Sequence, residues 1–521
     1  MTGSHADESP DPAEIAIGER FFLETRFAQA WYAHPTMAEP ALEYTLTTRD
    51  PMRGAFAGKT MNCRACHMVD EHAKDINGGM RSYTDFAHRS LVPQRKDGQH
   101  VTARNSISLV NISVPRDNDT VFHFDGEFNS MEDLVIATLT GRNYGWLQTE
   151  KNMAMKHIAN VIRSDDGKGE LAREFGGSYR KILTGTDVNI KTDFRLPPEY
   201  RINVMHSSDH EIVSAVVKLI SVYVQDLSFT RNDRDEYNAS PYDHFLKKNG
   251  LPRKPATGET TAVYSQRLAG LVSRVKFPKF VTKQEGKFVS HQQAFIFGEK
   301  ELAGMKLFFR KGSNKDNGGN CVACHSAPHF SDFGFHNTGL TQITYDQVHG
   351  QEAFNKLHIP DLEIRNKNHN MYLPATAKHP LASGKYRSMI NQDKPGITDL
   401  GLWNVFANPD IPKPQSKLKN ILCQQVKQQL AKDCSEANLL PFTIAAFKTP
   451  ILRDLGHSAP YMHSGKFTNL KEAIGFYHVS SSMAKSSQLR NAAPKLQQIN
   501  LITEDIDALV AFVNALNEDY E

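Results

Sequence analysis

The sequence predicts a mainly α fold, with two helical units related by an internal duplication and long loops around them. Three observations predict it. Strand signals are few and short. The pattern Cys-x-x-Cys-His occurs twice, as Cys63-Arg64-Ala65-Cys66-His67 and Cys321-Val322-Ala323-Cys324-His325. Similar blocks flank both copies. Ile15-Ala16-Ile17-Gly18-Glu19-Arg20-Phe21-Phe22 precedes the first and Leu302-Ala303-Gly304-Met305-Lys306-Leu307-Phe308-Phe309 the second, each apolar at helical spacing and ending in a Phe pair. Asp125-Gly126-Glu127-Phe128 comes after the first and Ser464-Gly465-Lys466-Phe467 after the second, each a Gly turn leading into a helix.

In chain order, residues 1–14 are expected to be disordered, with Gly3-Ser4-His5 a cloning remnant standing where a leader had been. Residues 15–282 form the first unit with a helical insertion. Within it, Ile212, Val213, Val216, Val217, Ile220 and Val224 mark one face of a helix over 211–227. Ser240-Pro241-Tyr242 and Leu251-Pro252 punctuate the chain beyond that helix, and the link falls near 278–290, after Pro278. Residues 283–521 form the second unit. It contains a polar excursion over 341–440 with Pro360, Pro374, Pro380, Pro412 and Pro414.

The length of 521 residues predicts two to four domains. Hydrophobic residues make up 40% and charged residues 23%, as in soluble globular proteins. A net charge of +3 gives no reason to expect a nucleic-acid partner. No apolar run approaches the roughly 18 residues that a membrane span requires.

The paired thiols and adjacent His read as c-type haem attachment. Two thiols add across the haem vinyl groups, and the His is placed to ligate iron from the same side. A zinc site closes with four ligands from motifs close together, whereas more than 250 residues separate these two. The expected cofactors are therefore two covalently bound haem c groups, and each half is a cytochrome c-like haem domain. Haem c is attached outside the bacterial cytoplasm, so a periplasmic location is expected. The remaining cysteines, Cys423 and Cys434, agree with an oxidising compartment if they pair. A disulfide closing so short a loop contributes about 3 kcal/mol in the chain-entropy model; the alternative is two reduced core cysteines.

Further residues carry a family likeness. Asn320 to Pro328 is followed by Phe335-His336-Asn337-Thr338-Gly339, and Phe447-Lys448-Thr449-Pro450-Ile451-Leu452-Arg453 leads to Ala459-Pro460-Tyr461-Met462-His463-Ser464-Gly465. In the first half, Arg104-Asn105-Ser106 precedes Phe124-Asp125-Gly126. With the two haem motifs, these resemble the bacterial diheme cytochrome c peroxidase/MauG superfamily. The likeness covers both haem units and is weaker over 140–280 and 341–440. It implies that His67 is the proximal ligand of a peroxide-binding haem and His325 that of a second haem.

The same resemblance places Tyr477 at the second haem's other axial position, where the peroxidases have Met and MauG-type proteins have Tyr. A phenolate favours higher oxidation states of iron, whereas a thioether raises the potential. The alternative is that Tyr477 is a core aromatic and His478 the ligand. The likeness also implies a Ca²⁺ between the haems, held by Asn105, Ser458 and Pro460.

The chain departs from the family in places. Phe124 stands where the peroxidases have an inter-haem Trp. The family's distal Gln aligns with Leu134, and its catalytic Glu aligns near Tyr144. Cleaving an O–O bond needs a group that takes and returns a proton, and Tyr144, Gln148, Glu150 and His123 are the candidates. His72, His88 and His100 lie in the loop from which some peroxidases close the first haem; MauG-type proteins leave that position open, and an open or water-bound site is expected here.

The reading is a periplasmic MauG-like diheme oxidoreductase that activates hydrogen peroxide at the N-terminal haem, shares oxidising equivalents with a Tyr-ligated second haem, and draws electrons from an unknown protein or small-molecule donor. The alternatives are a diheme electron carrier without catalysis and a haem oxygenase acting on an organic substrate.

Overall fold

Two helix crossings organise the molecule, and each depends on a glycine. In the computed structural model the helix Ala13–Phe22 lies against the helix Asp209–Asp226. A Cβ on Gly18 would stand 2.3 Å from the Leu219 carbonyl oxygen, so only glycine permits this approach. The helix Glu299–Phe309 crosses Thr503–Asn514 in the same manner, with Gly304 against the Ala508 carbonyl. These are the two helices that precede the Cys-x-x-Cys-His motifs. The structure describes residues 11–33, 62, 63, 66, 67, 92, 95–99, 101–289, 291–313, 315–430 and 433–519. Of residues 1–14, expected to be disordered, 1–10 lie outside these, whereas Ala13 and Glu14 open the first helix, whose apolar face is buried against Asp209–Asp226.

The fold is mainly α, as expected. Among the described residues the one strand pair is Phe335–His336 with Phe447–Lys448, antiparallel, with Phe335 opposite Lys448 and His336 opposite Phe447. No described helix is long and apolar enough to cross a membrane.

The apolar side chains gather in three clusters. The first holds Ile17, Phe21, Ile158, Val216 and Ile220, and ends at Tyr237. The second begins at Tyr242 and gathers Phe245, Leu268, Phe308, Phe330 and Phe512. Helices Pro241–Lys248 and Thr261–Ser273 therefore share their core with the C-terminal half. The packing changes partner between Tyr237 and Tyr242, earlier than the expected link near 278–290. The polar, Pro-marked stretch that suggested the later boundary is a surface connection; the buried residues before it decide where the core lies.

The third cluster lies where the sequence suggested a polar excursion. Tyr345, Phe354, Tyr386, Trp403, Leu418 and Leu422 form an apolar core of their own, with Val121 and Phe335 against it. Its helices include Leu340–His349, Leu362–Lys367 and Gln415–Val426. Arg365, fully buried, donates to the carbonyls of Trp403, Phe406 and Ala407 and satisfies a stretch of irregular backbone. Cys423 and Cys434 form a disulfide here, with Cα atoms 5.8 Å apart.

One loop geometry occurs twice. Phe122 bridges Phe128, with His123 and Gly126 at φ 67° and 70°. Tyr461 bridges Phe467, with Met462 and Gly465 at φ 71° and 63°. Each loop runs into a helix capped by a side chain. Ser130 accepts from Asp133 N–H at the start of Met131–Leu139, and Asn469 accepts from Glu472 N–H at the start of Leu470–Lys485.

Candidate functional site

Both motifs adopt the same turn. Cys66 N–H donates to the Cys63 carbonyl at 3.1 Å and His67 N–H to the same carbonyl at 2.9 Å. In the second, Cys324 and His325 N–H donate to the Cys321 carbonyl at 3.1 and 2.8 Å. Each turn hangs from the end of its Gly-crossing helix, through Cys63 N–H to Phe22 and through Asn320 N–H to Arg310. The turns thus place two thiols and an imidazole together. Arg64 and Ala65, inside the first motif, lie outside the described residues.

The two imidazoles are held neutral. His325 Nδ1 lies 2.9 Å from the Phe330 carbonyl, which can only accept, so Nδ1 carries the ring N–H. Burial lowers His325 below the usual histidine range. Burial, opposed by a hydrogen bond to the Ile107 backbone and reinforced by nearby His123, lowers His67 to about 4. A neutral ring with one nitrogen tied to a carbonyl is what a metal-ligating His requires.

One cavity takes in Cys321, Cys324, His325 and Tyr477. Its apolar walls include Phe308, Ile451, Leu452, Ile474 and Leu496. Tyr477 lies on Leu470–Lys485; burial, and then Cys324 and Cys321, push its phenol above the ordinary range. His478, the other expected ligand, is bonded through Nδ1 to the Leu501 carbonyl at 2.8 Å and does not line the cavity. Asn105, Ser458 and Pro460 line the same cavity, and the Asn105 side chain donates to the Pro460 carbonyl. The Ser458 hydroxyl donates to the Asp454 carbonyl at 3.1 Å. Phe124 also lines it, and its carbonyl accepts from Lys448 N–H at 2.7 Å.

The four acid–base candidates do not act on one another: among the described residues no hydrogen bond joins them. Tyr144 is buried with its hydroxyl 3.2 Å from Cys63 Sγ, and burial, then Cys63, hold its phenol well above the usual range. Glu150 pairs with Arg95 at 2.6 Å and accepts from Leu147 N–H. Gln148 faces solvent. His123 Nδ1 lies 3.4 Å from Glu127. His72, His88 and His100 lie outside the described residues.

Two groups around the site were not legible in the sequence. Asp332 pairs with His336 at 2.8 Å and with Lys495 at 3.2 Å. Burial would lower His336, but the Cys324 thiol and Asp332 beside it carry it up to about 10. A second network joins the first half to the third core: Arg104 pairs with Asp125 and Asp399, and Arg387 with Asp125 and Glu127. Asp399 lies 295 positions from Arg104, a separation at which no local pattern signals pairing.

The fold and site define a mainly α protein with two Cys-x-x-Cys-His turns, the second of them opening on an apolar cavity that also holds a phenol. No family model matches the chain. Cytochrome-c peroxidase IdrP1 of Denitromonas iodatirespirans is 25% identical over 266 residues, 51% of this chain and 50% of the relative. Cytochrome-c peroxidase IdrP2 of the same organism is 27% identical over 199 residues, 38% of this chain and 36% of the relative. Methylamine utilization protein MauG of Paracoccus denitrificans (strain Pd 1222) is 33% identical over 94 residues, 15% of this chain and 24% of the relative. The chain thus spans half or less of the length of these relatives. Among solved structures, the diheme peroxidase BthA from Burkholderia thailandensis E264 has a TM-score of 0.45 at 17% identity, covering 98% of this chain and 87% of that one.

These likenesses, each over part of the chain, support the diheme cytochrome c peroxidase/MauG superfamily.

Proposed function

We propose that this chain is a MauG-like diheme oxidoreductase that activates hydrogen peroxide at its N-terminal haem and shares oxidising equivalents with a second, Tyr-ligated haem. The observation that carries the reading is the single cavity holding Cys321, Cys324, His325 and Tyr477. Its apolar walls suit a flat macrocycle, its two thiols suit covalent attachment, and its neutral imidazole and phenol suit the two axial positions. Bound there, haem supplies the redox chemistry; the protein supplies ligands, access and an electron route.

The paired loops support a duplication, and their register bears on the first haem. The offset that takes Tyr461 to Phe122, Met462 to His123, Gly465 to Gly126 and Asn469 to Ser130 takes Tyr477 to Thr138. A threonine side chain is too short to ligate as a tyrosine does, which supports an iron open opposite His67. Tyr144, beside Cys63, is the buried candidate nearest that site's attachment point.

Asn105, Ser458 and Pro460 fit a calcium ion. A Ca²⁺ there would take the Asn105 side-chain oxygen and the Ser458 and Pro460 carbonyls, with the Asn105 amide turning from its present bonds to the Pro460 carbonyl and the Ser106 N–H. The Cys423–Cys434 disulfide supports an oxidising, periplasmic setting. The electron donor is a protein or small molecule whose identity the cavity does not specify.

The test is rapid mixing of the ferric protein with peroxide, followed by optical and Mössbauer spectroscopy. The expected result is a product two oxidising equivalents above the ferric state, spread over both haems. Two six-coordinate irons inert to excess peroxide, even after one-electron reduction, would replace this reading with that of an electron carrier.

A further inference from the structure

Away from the haem cavity, the third core brings together two histidines and an aspartate that are far apart in sequence. His369 opens the short helix His369–Tyr372, His379 comes after Pro374 and Thr376, and Asp410 arrives from beyond Trp403. His379 Nδ1 lies 2.7 Å and His369 Nε2 3.6 Å from Asp410 Oδ2. The three potential ligand atoms lie within 4.8 Å of one another. Thr376 Oγ1 donates to the same carboxylate oxygen, and the Pro374 carbonyl lies 3.2 Å from His369 Nε2. Five polar atoms therefore converge on one point.

We propose that His369, His379 and Asp410 form a binding site for one divalent first-row transition-metal ion, with Zn²⁺ the ion of first choice. Two imidazoles and a carboxylate with a position left for water are a donor set that Zn²⁺ accepts. Ligand atoms about 2.1 Å from a tetrahedral ion stand about 3.4 Å apart. The observed 2.7 and 3.6 Å bracket that value, so loading requires a shift of less than about an ångström at His379.

The burial pattern fits such loading. Asp410 and His369 side chains are each 4% exposed, so backbone packing holds two of the ligands in place. His379 is 36% exposed and can turn to admit the ion. Its ring now stacks on His369 with centroids 4.0 Å apart. Lys378, 3.8 Å from Asp410 Oδ1 and 71% exposed, is the cation that would leave. Burial raises the Asp410 carboxyl, but the Thr376 and His379 hydrogen bonds outweigh it and hold the group below the ordinary carboxylate range, so it is anionic at neutral pH.

A metal here would clip the 369–379 segment onto Asp410. It would thereby brace the third core, which delivers Arg387 to Glu127 and Asp125.

The experiment uses untagged holoprotein with both haems attached, stripped with chelator and titrated with ZnCl₂ by calorimetry and metal analysis. One Zn²⁺ per chain is expected beyond the haem irons, together with a rise in thermal midpoint. His379→Ala, which alters a part-exposed ring, should keep the haem spectra and weaken binding more than about tenfold. Asp410→Asn should do the same. Absence of saturable binding, or binding unchanged in both variants, would overturn the proposal.

Discussion

The Nδ1 of His325 lies 2.9 Å from the carbonyl of Phe330, five residues on in the chain. Phe330 holds φ 58° and is fully buried against Phe308 and Phe512, so this carbonyl cannot easily turn away. The tautomer of the imidazole is thus set by the packing of the second core.

The two turns predict covalent haem at both motifs. Intact mass under denaturing conditions should show two added haems, and Cys63→Ala or Cys321→Ala should compromise one site each. Haem released by acid-acetone extraction would contradict the assignment.

The cavity separates Tyr477 from His478. On the proposed ligation, Tyr477→Phe should alter the spectrum and potential of the second haem alone, since only that iron would lose an anionic ligand. His478→Ala should leave that spectrum in place, because its ring is bonded to Leu501. The reverse outcome would move the ligand to His478.

Glu518 predicts a pH dependence of stability. It is fully buried; Thr230 N–H donates to Oε1, while Arg453 makes two hydrogen bonds to Asp243 and one to the Pro328 carbonyl and comes only within 3.9 Å of Oε2. Burial, against the pull of Arg453, raises the carboxyl to about 8. The folded state then holds this proton more tightly than the unfolded chain. Stability from this group is therefore lost as pH rises from about 4.5 to about 8. Urea unfolding of Glu518→Gln and the parent should show a difference in favour of the variant that grows across this window. A constant difference would show that Glu518 is ionised throughout.

Gly304 predicts intolerance of any side chain at the helix crossing. Gly304→Ala should cost about 1–3 kcal/mol, because the added Cβ meets the Ala508 backbone and the two helices must separate. Equilibrium denaturation measures it. A loss below about 0.5 kcal/mol would mean the helices adjust without strain.

The haem turns, the helices before them and the Gly-turn loops were legible in the sequence because each is a local pattern. Cys-x-x-Cys-His spans one turn, and Ile15, Ile17, Phe21 and Phe22 repeat at the helical period. Tyr477 was singled out by the family resemblance, which places it in the helix after the Gly465 turn. The core boundary between Tyr237 and Tyr242 was not, because composition reports what is polar and not which helix a buried Phe245 touches.

By itself the sequence determined the helical class, the two attachment motifs and the resemblance to the superfamily, since these rest on residues adjacent in the chain. Only the tertiary structure decided that 341–440 has its own core around Trp403 and Tyr386, that Arg104 meets Asp399, and that His369, His379 and Asp410 share one point. Such contacts close long loops, and burial and charge pairing select them only once the whole chain has folded.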